Sequence, residues 1–598
     1  MRSKYPAHSV LREDREGGAV ILRSGLALGE VANDTNVWLR RWAKAEPDRV
    51  FLAERRGDGW REMTFAAMWQ ATRAVAQGLL DHGIGPGDAV VVLSGPSVDH
   101  GILMQACQMI GAAIVPLAEQ YALIPAAQPR LDYCAGKVRA AMVYAAGAEA
   151  FGPAMARPVF EDALKVTSDA QAAPGCLTFD TLSAATPGRA LTEAYAQITP
   201  DTVAKILFTS GSTSHPKAVP NTQRMLCVNQ AQYLACLPVL GQRHHTLLDW
   251  LPWNHTFAGN SNFNMMLSNG GSLYLDDGKP LPDRFARSLE NGRRVPVTLS
   301  FDVPVAHAMR VAAMQADAAL RRAYFRDLDI FFYAGASLPA DVWVAVEEMA
   351  RRERGAAPLM MSSWGMTETA PSTLIVHEMG GKFGNVGVPV PGVAAKLLPV
   401  GANRYELRVT GPNLFPGYLD DVKKNAEAFD DEGFFISGDA VGMVDPGDVA
   451  RGLFFDGRIS EDFKLMTGVW VRASTLRLDL LPRLAGLAQD IVVVGDGHAE
   501  VGLLLFAPPG RGQDAGGGAV EDPALAAQIR AELRELAREA TGSSNRVARA
   551  LVMAEPPNVG AGEITAKGSL NVRAILDRRK ELVARLYDDA DPAVIKPD

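Results

Sequence analysis

The sequence predicts an α/β protein with a large multi-sheet N-terminal domain followed by a small α+β C-terminal lid. Three observations lead there. At 598 residues the chain is longer than one hydrophobic core accommodates. Strand and helix signals alternate through the first two thirds, the rhythm of βαβ units that pack helices on sheets. Near residue 457 the texture changes to a short α/β segment, then a Gly/Pro-rich linker over 508–523 and an amphipathic helix. The predicted boundary divides the chain into residues 1–457 and 458–598.

Each element has a local reason. Thr64 is placed to cap a helix from Phe65 to about residue 80, with Met68, Val75 and Leu79 on one side. Gly83 and Gly85-Pro86-Gly87 stop it. Ala89–Leu93 then reads as a buried strand, Asp99–Ile110 as a helix and Ala113–Leu117 as the next strand. Leu247–Leu251, Gly271–Leu275, Ile330–Tyr333 and Arg404–Val409 supply further strands. In the lid, Asp490–Gly495 and Ala499–Phe506 are strands, and Ala524–Ala540 is a helix with Leu525, Ile529, Leu533 and Leu536 on one stripe.

Composition narrows the function. With 60 Lys+Arg against 68 Asp+Glu, the net charge of −8 argues against binding a nucleic-acid backbone. The densest basic run, Arg578-Arg579-Lys580, reads as the solvated face of a helical tail. Five scattered cysteines form no metal-ligand spacing and suit a reducing compartment. The N-terminus lacks the apolar stretch of a signal peptide, and no run of about eighteen apolar residues occurs. A cytoplasmic enzyme with no membrane span is the expectation.

The most informative stretch is 206–222. An apolar run, Ile206–Phe208, opens into Thr209, Ser210, Gly211, Ser212 and Thr213, and Lys217 closes the segment. Glycine lets backbone N–H groups approach an anion, hydroxyls add donors and the ammonium adds charge, so the segment suits phosphates. It is not a Walker A loop, because Pro216 and Ala218 flank the lysine. Taken alone, its competing reading is a polar surface loop between two strands.

Other segments supply groups that nucleotide chemistry needs. Trp364-Gly365-Met366-Thr367-Glu368 offers an aromatic to stack on a purine, a hydroxyl for a phosphate oxygen and a carboxylate for Mg²⁺. By itself the Thr-Glu pair is also a helix-capping signal. Asp439 follows a strand and suits two ribose hydroxyls, or simply a turn. Arg458 stands at the domain boundary, and Lys567 lies in Gly562-Glu-Ile-Thr-Ala-Lys567 among turn residues, where a lysine is ordinarily solvated.

Their order along the chain resembles the adenylate-forming (AMP-binding) superfamily of acyl-CoA synthetases, luciferases and peptide-synthetase adenylation domains, over roughly residues 35–585. Within it the chain is most similar to the feruloyl-CoA synthases. Phe208–Met225, Asp249-Trp-Leu-Pro-Trp-Asn-His-Thr-Phe-Ala-Gly259, Leu275–Pro280, Gly457–Leu465 and Gly562–Lys567 carry that resemblance. It implies a large multi-sheet adenylate-forming domain with a mobile α+β lid. It also implies ATP, Mg²⁺ and coenzyme A, and a small carboxylic acid as substrate; the oligomeric state stays open, a homodimer among the options.

The resemblance further implies roles. Thr209, Ser210, Gly211, Ser212, Thr213 and Lys217 handle the ATP phosphates. Ala334, Gly335 and Ala336 bracket adenine with Trp364. Thr367 and Glu368 serve the α-phosphate and Mg²⁺, Asp439 and Arg458 hold the ribose, and Lys567 reaches the reacting carboxylate. His255 matches a gate beside the acid pocket, for which Trp253, Phe257, Phe263, Met265, Met266 and Ala334 are candidate wall residues. Apolar spacing of that kind equally describes plain core.

Three departures stand out. Ser214 and Ala218 occupy positions that are glycine in the usual phosphate loop. After Arg458 the hinge falls on Ser460 or Glu461, with Glu461 favoured. Lys567 sits four positions beyond the usual lysine, yet it is the only lysine between Lys464 and Lys580. The expected activity is ATP-dependent CoA thioester formation on ferulate or a related hydroxycinnamate, releasing AMP and pyrophosphate. Alternatives are transfer of another aryl or fatty acid to CoA or to a carrier-protein pantetheine, or a catalytically silent nucleotide- or acyl-binding module.

Overall fold

The computed structural model describes residues 4–169, 171, 173–209, 215–281, 283–335, 338–381, 383–508, 518–558, 561–564 and 570–597. Two large sheets dominate the first 458 residues. In one, Ala89–Val92 pairs in parallel with Ala113–Pro116 and Ala140–Ala145, and the hairpin Val203–Thr209/Lys217–Thr222 extends its edge. These strands are apolar on both faces because helices cover both. The Phe65–Asp81 helix starts where Thr64 accepts a hydrogen bond from the Ala67 N–H at 3.2 Å, and it ends ahead of Gly83.

The other sheet has fifteen strands among the described residues. Its parallel half runs Val50–Arg56, Ser272–Leu275, Thr246–Asp249, Leu299–Asp302, Ile330–Tyr333 and Leu359–Gly365. It then turns antiparallel through Ser372–Ile375, Asn385–Pro389, Leu453–Arg458, Phe435–Met443 and Arg404–Thr410.

Beyond Arg458 a separate three-stranded sheet forms from Asp490–Val494, Val501–Phe506 and Val547–Met553. The Pro523–Glu539 helix packs Leu525, Ile529, Leu533 and Leu536 on it. Two clusters of buried apolar side chains fall wholly within 463–595, and the others lie within the first 455 residues. The predicted elements thus form within one or two residues of their expected ends, as fraying and caps allow.

One expectation is corrected. Arg579 is buried, not part of a solvated basic face: its guanidinium donates from Nε and Nη2 to Glu563, each at 2.7 Å. A basic run announces charge, but a distant buried carboxylate decided where this one points. Among the described residues no helix is long and apolar enough to cross a membrane.

Candidate active site

Three structural units converge at one edge. The first is the hairpin of the parallel sheet, where Thr209 pairs with Lys217 as the last rung before the turn. Residues 210–214, and with them Ser210, Gly211, Ser212 and Thr213, lie outside the described residues. The second is the carboxyl edge of the larger sheet, where parallel strands open a crevice. Tyr333 pairs with Ser362 there, so Ala334 and Gly335 leave the sheet beside Ser363 and Trp364. Gly335 has φ +86°, which glycine adopts without strain. Ala336 lies outside the described residues. The third is the antiparallel pair in which Asp439 faces Arg458.

Hydrogen bonds knit these units together. Asn221, on the hairpin, donates from Nδ2 to the Thr367 carbonyl at 3.1 Å. Thr367 and Glu368 are buried in a short 3₁₀ turn. The Glu368 carboxylate accepts from the Tyr418 hydroxyl at 3.0 Å, and the Lys217 ammonium lies 4.6 Å from the centre of the Tyr418 ring. Tyr418 therefore stands between the lysine of the hairpin and the carboxylate of the turn. Sequence reasoning missed it, since a lone tyrosine after Pro416-Gly417 carries no local signal.

Burial shifts Glu368, Lys217 and Asp439. Desolvation raises the Glu368 pKa, opposed by its own backbone N–H, Tyr418 and Lys217. Desolvation also lowers that of Lys217, opposed by Glu368. Asp439 is raised by burial as well, opposed by Arg458 and by the hydrogen bond from Trp364. Trp364 is buried in the core and donates its indole N–H to Asp439 Oδ2 at 2.9 Å. Its polar edge is committed to aiming the carboxylate. Arg458 is the open member, with 57% of its side chain exposed and Nε 3.6 Å from Asp439 Oδ1.

His255 begins the turn that becomes a π-helix over Phe257–Asn262. Phe257 is half-buried, with its ring edge-on to Phe332 at 5.1 Å, and Phe332 lies two residues before Ala334. Phe257 and Ala334 thus front the same space. Trp253 does not: it is 1% exposed and packs on His100 and Phe263. Phe263, Met265 and Met266 are likewise fully buried core. Ser460 and Glu461 form a 3₁₀ turn directly after Arg458. The Ser474 hydroxyl of the lid donates to Glu461, while the next residue, Asp462, pairs with Arg404 Nη2 at 2.7 Å. Lys567 lies outside the described residues.

A lone buried carboxylate backed by a tyrosine fits Mg²⁺, which takes one or two protein oxygens and completes its shell with water and phosphate. Among the described residues no cluster of three His, Cys, Asp or Glu side chains forms a metal cage. Hydroxyl, lysine, buried carboxylate and the Asp439–Arg458 pair therefore gather at one edge, a set of groups suited to a nucleoside triphosphate. The sequence profile of the family described as AMP-binding enzyme matches residues 39–419. The chain belongs to the AMP-binding enzymes.

Among AMP-binding enzymes it is similar to the long-chain-fatty-acid–CoA ligase FadD15 of Mycobacterium bovis, 26% identical over 91% of this chain and 95% of the other. It is also similar to a feruloyl-CoA synthase of an Amycolatopsis species, 26% identical over 68% of this chain and 76% of that one. Equal identity to both means that overall similarity does not choose the acid. The fold matches the crystal structure of the anthranilate CoA ligase AuaEII in complex with anthranoyl-AMP, with TM-score 0.74 at 19% identity over 93% of this chain and 99% of that one.

Proposed function

We propose that this chain is an AMP-forming acid:CoA ligase acting on ferulate or a related hydroxycinnamate. One observation carries the reading: Lys217 of the hairpin, Tyr418 of a loop and Glu368 of the 3₁₀ turn meet beside the Asp439–Arg458 pair, a layout for phosphates at one end and ribose at the other.

The physical task is to make a carboxylate a competent acyl donor. A resonance-stabilised carboxylate resists thiol attack until it carries a good leaving group. Its oxygen attacks the ATP α-phosphorus in line, and the bond to the β-phosphate breaks, so pyrophosphate leaves with that electron pair. Two anions must meet, so Lys217 and Lys567 supply positive charge while Thr209 and Thr367 orient the phosphates. Glu368 would hold Mg²⁺, whose chemistry is to neutralise charge on the phosphate oxygens. Asp439 and Arg458 fix the nucleoside so that the α-phosphorus faces the acid. In the second half-reaction the CoA sulfur attacks the acyl carbon, AMP departs with the carboxylate oxygen, and the thiol proton is released.

The two steps want different surroundings, a lysine at the phosphate and then an open thiol path. The lid, residues 458–598, turns about Ser460–Glu461 to provide each in sequence. Ala334 and Phe257 favour a planar aromatic acid, because an aromatic edge-on pair continues from Phe332 into the crevice. The likeness to a fatty-acid ligase over nine tenths of the chain gives a second reading, an aliphatic acid in the same pocket. Aromatic and aliphatic acids tested with ATP, Mg²⁺ and CoA, with AMP and thioester measured together, decide between them. Hydroxycinnamates turn over best if the first reading holds, and long-chain acids best if the second does.

A further inference from the structure

The helix Gln128–Val138 of the large domain lies between the phosphate hairpin and the lid. Tyr133 stacks on His215, centroids 4.5 Å apart and planes at 16°, two residues before Lys217. One turn earlier on the same face, Arg130 reaches the lid at Gly562. Gly562 is buried although Ala561 before it is exposed, and what buries it is the Arg130 guanidinium. A Cβ at Gly562 would stand 2.5 Å from Arg130 Cζ and 2.6 Å from Nη1, so any larger residue would push the guanidinium off this contact. The backbone there also has φ +73°, which again favours glycine.

The next residue makes this contact mechanically stiff. Glu563 is fully buried and accepts from Arg579, from Arg578 Nη1 at 3.1 Å and from the Asn558 backbone N–H at 2.7 Å. The Asn571 N–H donates back to the Glu563 carbonyl at 2.8 Å, and Ile564 bridges Leu570. Both flanks of the segment carrying Lys567 are thus tied to one buried ion pair, and that assembly rests on Arg130.

We propose that Arg130 is a positioning residue for the first half-reaction: it seats the lid at Gly562, against the helix that also holds His215, and must let go for the second. The inference rests on the ligase reading above and adds to it a specific lid contact. The mechanism asks for a lid pose that differs between the two steps, and only one of those poses has Gly562 under Arg130. Removing Arg130 therefore lowers the population of the adenylating pose without touching the other.

The test separates the half-reactions. In Arg130→Ala, acid-dependent ATP–pyrophosphate exchange falls about tenfold, because fewer molecules hold the adenylating pose. Thioester formation from supplied acyl-adenylate and CoA stays within about twofold, since the second pose lacks the contact. Arg130→Lys recovers part of the exchange. Unchanged exchange, or an equal fall in both half-reactions, overturns the proposal. Absence of exchange in the unmodified enzyme with every acid would instead defeat the ligase reading.

Discussion

The indole N–H of Trp364 donates to Oδ2 of Asp439 at 2.9 Å, inside a core that encloses the tryptophan. The carboxylate proposed to hold the ribose is thus aimed by a residue whose aromatic ring suggested purine stacking. Trp364→Phe keeps the apolar body and removes the donor. A hydrogen bond to a charged acceptor is worth about 1.5–3 kcal/mol, so KM for ATP rises roughly tenfold or more with a smaller change in kcat. Steady-state kinetics against ATP checks this, and an unchanged KM means that Asp439 is held some other way.

Tyr418 stabilises the ionised form of Glu368, whose pKa burial has already raised. Tyr418→Phe removes that donor and moves the carboxylate pKa further up. Mg²⁺ requires the ionised carboxylate, so protons compete with it. The acid limb of the pH–rate profile therefore moves to higher pH in the variant, and excess Mg²⁺ moves it part-way back. An unmoved limb would show that Glu368 ionisation does not govern the reaction.

Lys205 is fully buried on the first strand of the Val203–Thr209/Lys217–Thr222 hairpin, donating to the Gly259 carbonyl at 2.7 Å. Burial brings its pKa down from 10.5 to about 7. Between those values the unfolded chain binds a proton that the folded chain does not, so this group makes stability rise with pH. Lys205→Met removes that contribution. Chemical denaturation from pH 7 to 10 should show wild type gaining on the variant as pH rises, and parallel curves would contradict the assignment.

Trp253 and Phe257 should separate cleanly. Trp253→Ala opens a cavity in the core and costs about 3–5 kcal/mol of stability. Phe257→Ala changes KM for the acid while leaving the thermal midpoint nearly intact, because the ring is only half-buried. Thermal unfolding and acid-dependent kinetics on both variants check the pair.

The sequence was most legible where the signal is local. Thr64 caps its helix through its own side chain, and the stripe Leu525–Leu536 repeats at helical spacing. Thr209 and Lys217 were recognisable as the two ends of one polar stretch, although their pairing as the last rung of a hairpin was not. Illegible were the residues whose roles come from partners far along the chain. Tyr418 acquires meaning only when Glu368, fifty residues away, folds against it. Lys205 carries no local signal of burial, and only its bond to the distant Gly259 carbonyl accounts for it. Arg579 read as surface because nothing nearby revealed the buried Glu563. Trp253 and Phe257 share one motif, and only the packing of Phe263 and Phe332 sorts core from crevice.

The central claim is that the carboxylate attacks the α-phosphorus, and isotope transfer tests it most directly. With ferulate labelled by ¹⁸O in its carboxylate, ATP, Mg²⁺ and CoA, one heavy oxygen should appear in the phosphate of AMP, because that oxygen leaves with the nucleotide when sulfur attacks. Unlabelled AMP, or label recovered in inorganic phosphate alongside ADP, would contradict adenylate formation by this chain.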